Sequence, residues 1–384
     1  MPDQQVRLCK SVVGEREADA ARRVIVENGF FGMGGEVAAF ERELSSFLET
    51  EREVVCTSTG TAALHLALQA CGIGAGDEVL APTVTFIATF QAISATGATV
   101  VPCDVREQDC WLDLSDAERR ITPHTKAILP VHYAGGPGDL TALYELAKRY
   151  KLRVIEDATH AFGSRYEGKR VGSIGDIACF SFDGIKNITA GEGGAVVTED
   201  RALAERVREG RLLGIHIGGE TRIGNQRWDF DVFDQGWRYH MSDLFAAIGR
   251  VQLSRFESEF APRRIELARR YDQLLGVLED VNPMAFDYDE IVPFNYAVRF
   301  TAGQRDRVRD ELMAHGMECG LYYKPLHLLT RYGAGRVRLP AAERIFRDIL
   351  TLPLHPELSD ADQATVVEVV AQAVRARELV GSVM

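Results

Sequence analysis

The chain has 384 residues, 46% of them hydrophobic and 26% charged, and its formal net charge is −12. A single hydrophobic core rarely serves more than roughly 250–300 residues, so we expect a large domain over residues 1–250 and a smaller one over 251–384. No apolar run approaches the ~20 residues of a membrane span, and the negative charge argues against nonspecific binding to nucleic acid. The first residues lack the apolar core of a signal peptide, so we expect a cytoplasmic protein.

Seven cysteines are scattered along the chain, and none belongs to a Cys-x-x-Cys pair. A disulfide framework or a zinc site requires a more regular spacing. We therefore expect free thiols and no metal.

The first half of the chain predicts helices that cover a parallel sheet. Two amphipathic helices are expected at Glu15–Asn28 and Glu36–Glu49, and a third at Asp139–Tyr150, where Asp139 can cap the first turn. Strands between residues 50 and 200 lack the alternation of half-exposed strands, which is typical of strands buried on both faces. These segments are "EVLAPTVTF", "ATVVPCDV", "KAILPVHYA", "LRVIEDA" and "DIACFSF". The pattern predicts an α/β fold with a mainly parallel central sheet.

The alternation of predicted strands and helices changes after Ser242, a predicted cap for the helix that follows. A long helix is expected at Pro262–Leu278, a strand at "NYAVRF", and a closing helix from Asp360 to about Leu379. Residues 280–294 lack helical periodicity and are a candidate linker. The pattern favours a smaller C-terminal α/β domain.

The segment "TSTGTAALHLAL" places hydroxyl and glycine residues just before a helix. Such a turn directs unpaired backbone N–H groups and the positive end of the helix dipole at a ligand, which favours phosphate. A simple helix cap explains the same residues equally well. No Gly-Lys-Ser/Thr follows, so the turn is not a Walker loop.

Two further residues have chemistry that needs explaining. Asp157 ends a buried strand in "VIEDATHAFGS", where a carboxylate needs a partner or caps the next helix. Lys186 lies in "FSFDGIKNITAGEGGAVV", where only Asp183 and Glu192 are charged neighbours in sequence. Partial desolvation would lower the pKa of its amine toward the nucleophilic range, although most loop lysines are simply solvated.

These three features in one α/β domain point to pyridoxal 5′-phosphate (PLP). This cofactor needs an anchored phosphate, a carboxylate at its ring nitrogen and an amine for its aldehyde. A turn, an aspartate and a lysine supply these groups in that order along the chain. One cofactor therefore accounts for three otherwise costly features.

Five segments together resemble the DegT/StrS family of PLP-dependent sugar aminotransferases, in order and through essentially the whole chain. They are "TSTGTAALHLAL", "APTVTFIATFQAI", "VIEDATHAFGSRYEGKRVGSIGDIACFSF", "IKNITAGEGGAVVT" and "GWRYHMSDLFAAIGRVQL". The resemblance implies the type I fold of aspartate aminotransferase and a homodimer with active sites at the subunit interface. It also implies transfer of an amino group from L-glutamate to a keto group on a nucleotide-linked sugar.

The resemblance also implies roles for particular residues. Lys186 would form the Schiff base with the cofactor and shuttle the proton, and Asp157 would hold the ring nitrogen. Without this resemblance, Phe86 would be read as a core aromatic and Ser181 as a satisfied strand serine. The remaining implied cofactor contacts are Phe86 against the ring face, His160 near the ring hydroxyl, and Gly60, Thr61 and Ser181 at the phosphate.

The sequence departs from the family pattern at "GWRYHMSD". Many relatives have an asparagine that reaches the partner subunit's phosphate where this chain has Arg238, and an arginine where it has His240. Arginine offers a charged fork of donors that suits either that phosphate or a substrate diphosphate. Both contacts remain open.

The segment "LYYKPLHLLTRYG" combines aromatic and cationic residues where the family binds its sugar nucleotide. Such a cluster would give an acidic protein the local positive potential that a diphosphate requires, and a solvated edge explains it equally well. The substrate residues expected here are Tyr323, Lys324, His327 and Arg331.

The expected reaction is amination of a nucleotide-linked keto-deoxysugar. "FDGIKNITAGEGG" looks closer to relatives that aminate C4 of 4-keto-6-deoxy sugars, and a 3-keto-sugar aminotransferase is the first alternative. A PLP-dependent sugar dehydratase is less favoured, because such relatives replace the lysine with histidine. A regulatory protein that retains the fold is disfavoured by the acidic charge and the lack of a helix-turn-helix segment. The pathway, whether for lipopolysaccharide O-antigen, capsule or an antibiotic sugar, is open.

Overall fold

A computed structural model describes residues 5–216, 230–333 and 336–381, with side chains described up to residue 375. In the N-terminal two thirds, the strands are β1 (Glu53–Thr57), β2 (Glu78–Pro82), β3 (Thr99–Cys103), β4 (Thr125–Ile128), β5 (Arg153–Asp157), β6 (Arg165–Tyr166), β7 (Lys169–Arg170), β8 (Ile177–Ser181) and β9 (Gly194–Thr198). The helices are α1 (Glu15–Arg23), α2 (Gly35–Phe47), α3 (Gly60–Ala70), α4 (Ile87–Ala95), α5 (Leu114–Arg119), α6 (Leu140–Tyr150), α7 (Arg201–Gly210) and α8 (Asp243–Arg255).

Seven of these strands form the central sheet, in the order β1-β9-β8-β5-β4-β2-β3. β9 runs antiparallel to both of its neighbours, and the other pairs are parallel. Alternate residues enter cores on opposite faces: Ile177 and Cys179 join one, and Ala178 and Phe180 join the other. Burial on both faces explains why most of these strands are continuously apolar. The prediction is wrong for β3, which lies at the edge of the sheet and is only partly buried.

The predicted α/β class with a mainly parallel sheet is confirmed, as are several helix boundaries. α1 continues as a π-helical turn to Asn28, which completes the helix predicted from Glu15. The side chain of Asp139 accepts a hydrogen bond from the backbone N–H of Ala142, and Ser242 caps α8. β1 and β9 were not predicted.

The C-terminal third builds a second, smaller core. Before it in the chain, β10 (Ile215–His216) and β11 (Asp231–Val232) pair in antiparallel orientation. The strands of the smaller core are β12 (Val281–Pro283), β13 (Tyr296–Phe300) and β14 (Ile349–Leu352), which form an antiparallel sheet. Its helices are α9 (Ala261–Leu275), α10 (Arg305–Ala314), α11 (Pro340–Asp348) and α12 (Asp360–Gly381). No helix within the described residues is long and apolar enough to cross a membrane.

Two observations bear on the predicted division of the chain. The boundary between residues 250 and 251 falls inside α8, so the division into 1–250 and 251–384 stays a proposal. Residues 280–294 are not an open linker, because Val281–Pro283 pair with β13, and Val292 and Phe294 are buried. Long-range pairing, which leaves no periodic signal, stabilises this segment.

Candidate active site

A cavity of about 360 Å³ lies at the edge of the central sheet where the parallel strands end. Ligands collect at this edge in open α/β sheets because the loops after the strands converge there. Seven of the predicted site residues line it, namely Gly60, Thr61, Phe86, Asp157, Ser181, Lys186 and Tyr323. A larger groove of about 590 Å³ on another part of the surface contains none of them.

The turn between β1 and α3 forms one wall of the cavity. The hydroxyl of Thr59 accepts a hydrogen bond from the backbone N–H of Ala62 at 3.0 Å and caps α3. A Cβ on Gly60 would lie 2.7 Å from the Cβ of Ser181, so this close approach of the two chain segments requires glycine. The N-terminus of α3, with the positive end of its dipole, therefore opens on the cavity.

The carboxylate of Asp157 is fixed by neutral donors. The Thr89 hydroxyl donates to Oδ2 at 2.7 Å, and the backbone N–H of Thr159 donates to Oδ1 at 3.2 Å. A second hydroxyl, that of Thr85, lies 2.8 Å from Thr89 Oγ1. The carboxylate is 3% exposed, so these contacts set its orientation. The sequence analysis did not identify these threonines.

Glu156, the neighbour of Asp157, has a separate role on the other face of β5. Its two oxygens pair with His132 Nε2 at 2.8 Å and with the Tyr144 hydroxyl at 2.6 Å. All three side chains are largely withdrawn from solvent, and burial raises the pKa of the Tyr144 hydroxyl. Glu156 is thus a satisfied buried carboxylate that does not line the cavity.

Lys186 lies in the loop between β8 and β9, and its half-buried side chain lines the cavity. Burial lowers the pKa of the amine to about 8, although the carboxylates of Asp157 and Asp183 oppose this shift. Within the described part of the chain, no carboxylate forms an ion pair with it. The amine lies 4.3 Å from the centre of the Phe294 ring, a residue that the sequence analysis did not identify. A lysine with this pKa has a far larger unprotonated fraction near neutral pH than an ordinary lysine, and that fraction can act as a nucleophile.

His160 packs behind the cavity wall. Its ring stacks on that of Phe294, with centres 4.2 Å apart, and its Nε2 lies 3.2 Å from the Tyr323 hydroxyl. Burial first, and then the charge of Lys186, hold the pKa of His160 well below its usual range. Its Nδ1 is buried and has no hydrogen-bond partner among the described residues. Phe86, by contrast, is 54% exposed at the cavity.

The other predicted residues do not line the cavity. Lys324, Arg331 and Arg238 are exposed. His327 is fully buried, and its Nδ1 lies 2.8 Å from the Thr83 hydroxyl. Arg238 lies next to Tyr239, whose carbonyl accepts a hydrogen bond from the turn that precedes α3.

Pyridoxal phosphate fits this cavity on three grounds. The N-terminus of α3 beside Ser181 can receive a phosphate, an amine and a carboxylate line the same space, and the buried Nδ1 of His160, next to the cavity wall, has no partner among the described residues. The fold and the cavity therefore define an enzyme of the PLP-dependent, type I transferase class.

Comparison with known proteins gives the family. Residues 12–371 match the DegT/DnrJ/EryC1/StrS aminotransferase family, and the chain belongs to it. It is a PLP-dependent sugar aminotransferase, as the sequence motifs predicted.

Individual relatives cover nearly the whole chain. A dTDP-4-dehydro-2,3,6-trideoxy-D-glucose 4-aminotransferase from Saccharopolyspora spinosa is 36% identical over 96% of this chain and 97% of the relative. A dTDP-3-amino-3,4,6-trideoxy-alpha-D-glucose transaminase from Streptomyces venezuelae is 38% identical over 93% of this chain and 92% of the relative. The crystal structure of the aminotransferase TlmJ from Streptoalloteichus hindustanus superposes with a TM-score of 0.89 at 34% identity, over 97% of this chain and all of the other. Spr1654 from Streptococcus pneumoniae, in its PLP form, has a TM-score of 0.90 at 28% identity, over 97% of this chain and 99% of the other.

Proposed function

We propose that this enzyme transfers the amino group of L-glutamate to C4 of a nucleotide-linked 4-keto-6-deoxysugar. The observation that carries the chemistry is that Lys186 and Asp157 line one cavity although they lie 29 positions apart in sequence. The substrate class rests on the full-length similarity to a 4-aminotransferase of dTDP-linked sugars. The name of the Streptomyces venezuelae relative specifies a sugar with a 3-amino group. Amination at C3 is therefore the alternative to test against amination at C4.

Different residues of the cavity would have different roles in the reaction. The cofactor, when bound, stabilises negative charge on the carbon attached to the transferred nitrogen. The Lys186 amine would then move the proton between that carbon and the cofactor, because its pKa of about 8 lets it both accept and release a proton near neutral pH. Asp157 would keep the ring nitrogen charged, and Gly60 with Ser181 would hold the phosphate.

Phe86 and His160 would complete the cofactor site. The Phe86 ring lines the cavity and presents a flat apolar face on which an aromatic ring can stack. His160 is neutral, and its unpartnered Nδ1 would meet the ring hydroxyl. Thr61 lies in the first turn of α3 beside Gly60 and would supply a further donor to the phosphate.

The diphosphate of the substrate needs cations that the acidic chain has not already paired. Arg238 and Lys324 are exposed, and neither forms an ion pair within the described residues. Tyr323 lines the cavity directly before Lys324, so a sugar in the cavity would place its diphosphate near that lysine. Arg331, also exposed, would add to the same local potential. His327 would act only indirectly, by supporting this segment from the core.

We also propose a homodimer with shared active sites, in the cytoplasm. Phe30 and Phe31 are each more than half exposed beside the start of α8, and such aromatic side chains suit burial against a second subunit. Arg238 lies near the same start of α8 and would reach the partner's site. Mixing Lys186→Ala and Arg238→Ala subunits tests this. If each site combines Lys186 of one subunit with Arg238 of the other, the hybrid dimer has one intact site and regains measurable activity. Activity no higher than the sum of the parents would exclude a shared site.

Product analysis tests the function. The enzyme is incubated with L-glutamate and dTDP-, UDP- and GDP-linked 4-keto and 3-keto deoxysugars, and the amine is located by mass spectrometry and NMR. We expect amination at C4 and formation of 2-oxoglutarate, with ping-pong kinetics. Lys186→Ala should abolish turnover, whereas Lys126→Ala, at an exposed site away from the cavity, should not. Amination at C3, or loss of a hydroxyl without amination, would contradict the proposal.

A further inference from the structure

We propose that Phe294 is a positioning residue for Lys186, whose ring holds the lysine amine in the cavity whenever that amine is not bound to the cofactor. A transaminating lysine is free during half of each cycle and must stay beside the reacting carbon. In the structure the free amine lies 4.3 Å from the centre of the Phe294 ring. A cation is attracted to the negative face of an aromatic ring at this distance.

The ring is well fixed for this task. Phe294 is 4% exposed, and His160 stacks on it at 4.2 Å with an interplanar angle of 20°. The stacked imidazole thus restricts the orientation of the Phe294 ring.

The backbone of residues 292–294 forms hydrogen bonds with three other segments of the chain. The N–H of Phe294 donates to the carbonyl of Ala134 at 3.0 Å, and Nη1 of Arg264 in α9 donates to the carbonyl of Phe294 at 3.1 Å. Asn187 donates to the carbonyl of Val292 at 3.3 Å. Because Asn187 directly follows the lysine, the same segment is held in register with the loop that carries the amine.

The hydrogen bond from Arg264 to this backbone is unusual because the arginine is buried. Arg264 is 2% exposed, and burial lowers the pKa of its guanidinium to about 10. Its hydrogen bonds are to the carbonyls of Pro293 and Phe294, with no carboxylate paired to it among the described residues. Burial of a cation without a carboxylate partner is costly, and here its hydrogen bonds hold the backbone that carries Phe294.

Other groups around the amine determine what a titration will report. The carboxylates of Asp157 and Asp183 favour the charged amine, and burial holds the pKa of His160 well below its usual range. The remaining titratable groups of the cavity wall are Glu192, Tyr322 and Tyr323. These groups are unchanged when Phe294 is substituted, so a shift in the titration isolates the ring.

Competitive labelling of the amine tests the proposal without any sugar substrate. The full chain is loaded with pyridoxamine phosphate, which cannot bond to the lysine, and is treated with trace acetic anhydride across a range of pH. Peptide mass spectrometry follows Lys186 against the exposed Lys126. We expect a wild-type midpoint near the pKa of about 8. Phe294→Leu should lower it by roughly half a pH unit, because the ring no longer stabilises the ammonium.

Three further variants make the result decisive. Phe294→Tyr should restore the wild-type midpoint, and Phe300→Leu, a matched change in the core of the C-terminal sheet, should leave it unchanged. Should Phe294→Leu fail to fold, 3,4,5-trifluorophenylalanine at position 294 keeps the shape and weakens the negative ring face. A Leu or trifluorinated variant whose Lys186 titrates as in wild type would overturn the proposal, whether or not the enzyme aminates a sugar.

Discussion

Substitution of Thr89 by valine tests whether the orientation of Asp157 depends on one hydroxyl. Valine keeps the shape of threonine, so the change removes the 2.7 Å hydrogen bond to Oδ2 without creating a cavity. A hydrogen bond to a charged group contributes about 1.5–3 kcal/mol, and the oxygen left behind has little access to water. We expect the free energy of unfolding to fall by about 2 kcal/mol, and PLP to bind roughly 10-fold more weakly because 1.4 kcal/mol corresponds to one factor of ten.

Two measurements and two controls decide this prediction. Urea unfolding gives the stability, and titration of the cofactor-free chain with PLP gives the affinity. Thr89→Ser keeps the hydroxyl and should lose much less of either. Thr85→Val removes only the outer hydroxyl, so its cost should be smaller, about 0.5–1.5 kcal/mol. Equal losses in the serine and valine variants at position 89, or none in valine, would refute the reasoning.

Three shorter predictions concern other parts of the site. Gly60→Ala should weaken PLP binding, measured by titration, because the new Cβ meets Ser181 at 2.7 Å; Gly74→Ala, where the nearest contact is 3.8 Å, is the control. Glu156→Gln should lower the urea midpoint, because the amide oxygen can accept from only one of the two buried donors and the amide NH2 faces the other, while the PLP absorption maximum stays unchanged. The unfolding free energy of the cofactor-free wild type, minus that of Lys186→Met, should rise as the pH goes from about 8 to 10.5, because the unfolded chain binds the extra proton in that window; a difference that falls with pH would contradict this.

Much of the fold was predictable because its signals are local. Strands buried on both faces are continuously apolar, and a cap such as Asp139 needs only the residues of its own first turn. β9 was missed because its pairing partners, β1 and β8, lie elsewhere in the chain and its first residue is a glycine. Gly194 is required there by a neighbour, since a Cβ would lie 2.4 Å from the carbonyl oxygen of Thr59.

The site residues that could be predicted are charged residues in segments that are otherwise apolar. Lys186 and Asp157 stand out because each is costly to bury unaided, and the structure places both in one cavity. Phe294 and Thr89 give no such signal, since a buried phenylalanine or threonine is ordinary in any core. Their part in the site depends on distances that only the folded chain defines.

The reversed direction of β9 has a consequence for the lysine. Because β8 and β9 are antiparallel neighbours, the twelve residues between Ser181 and Gly194 leave and re-enter the sheet at the same edge. A parallel strand in that place would have drawn the chain across to the opposite edge and carried the amine away from the cavity. The loop that carries the reactive amine is thus anchored at both ends on the same edge of the sheet. An inserted residue in this loop would shift the amine while leaving every strand in place.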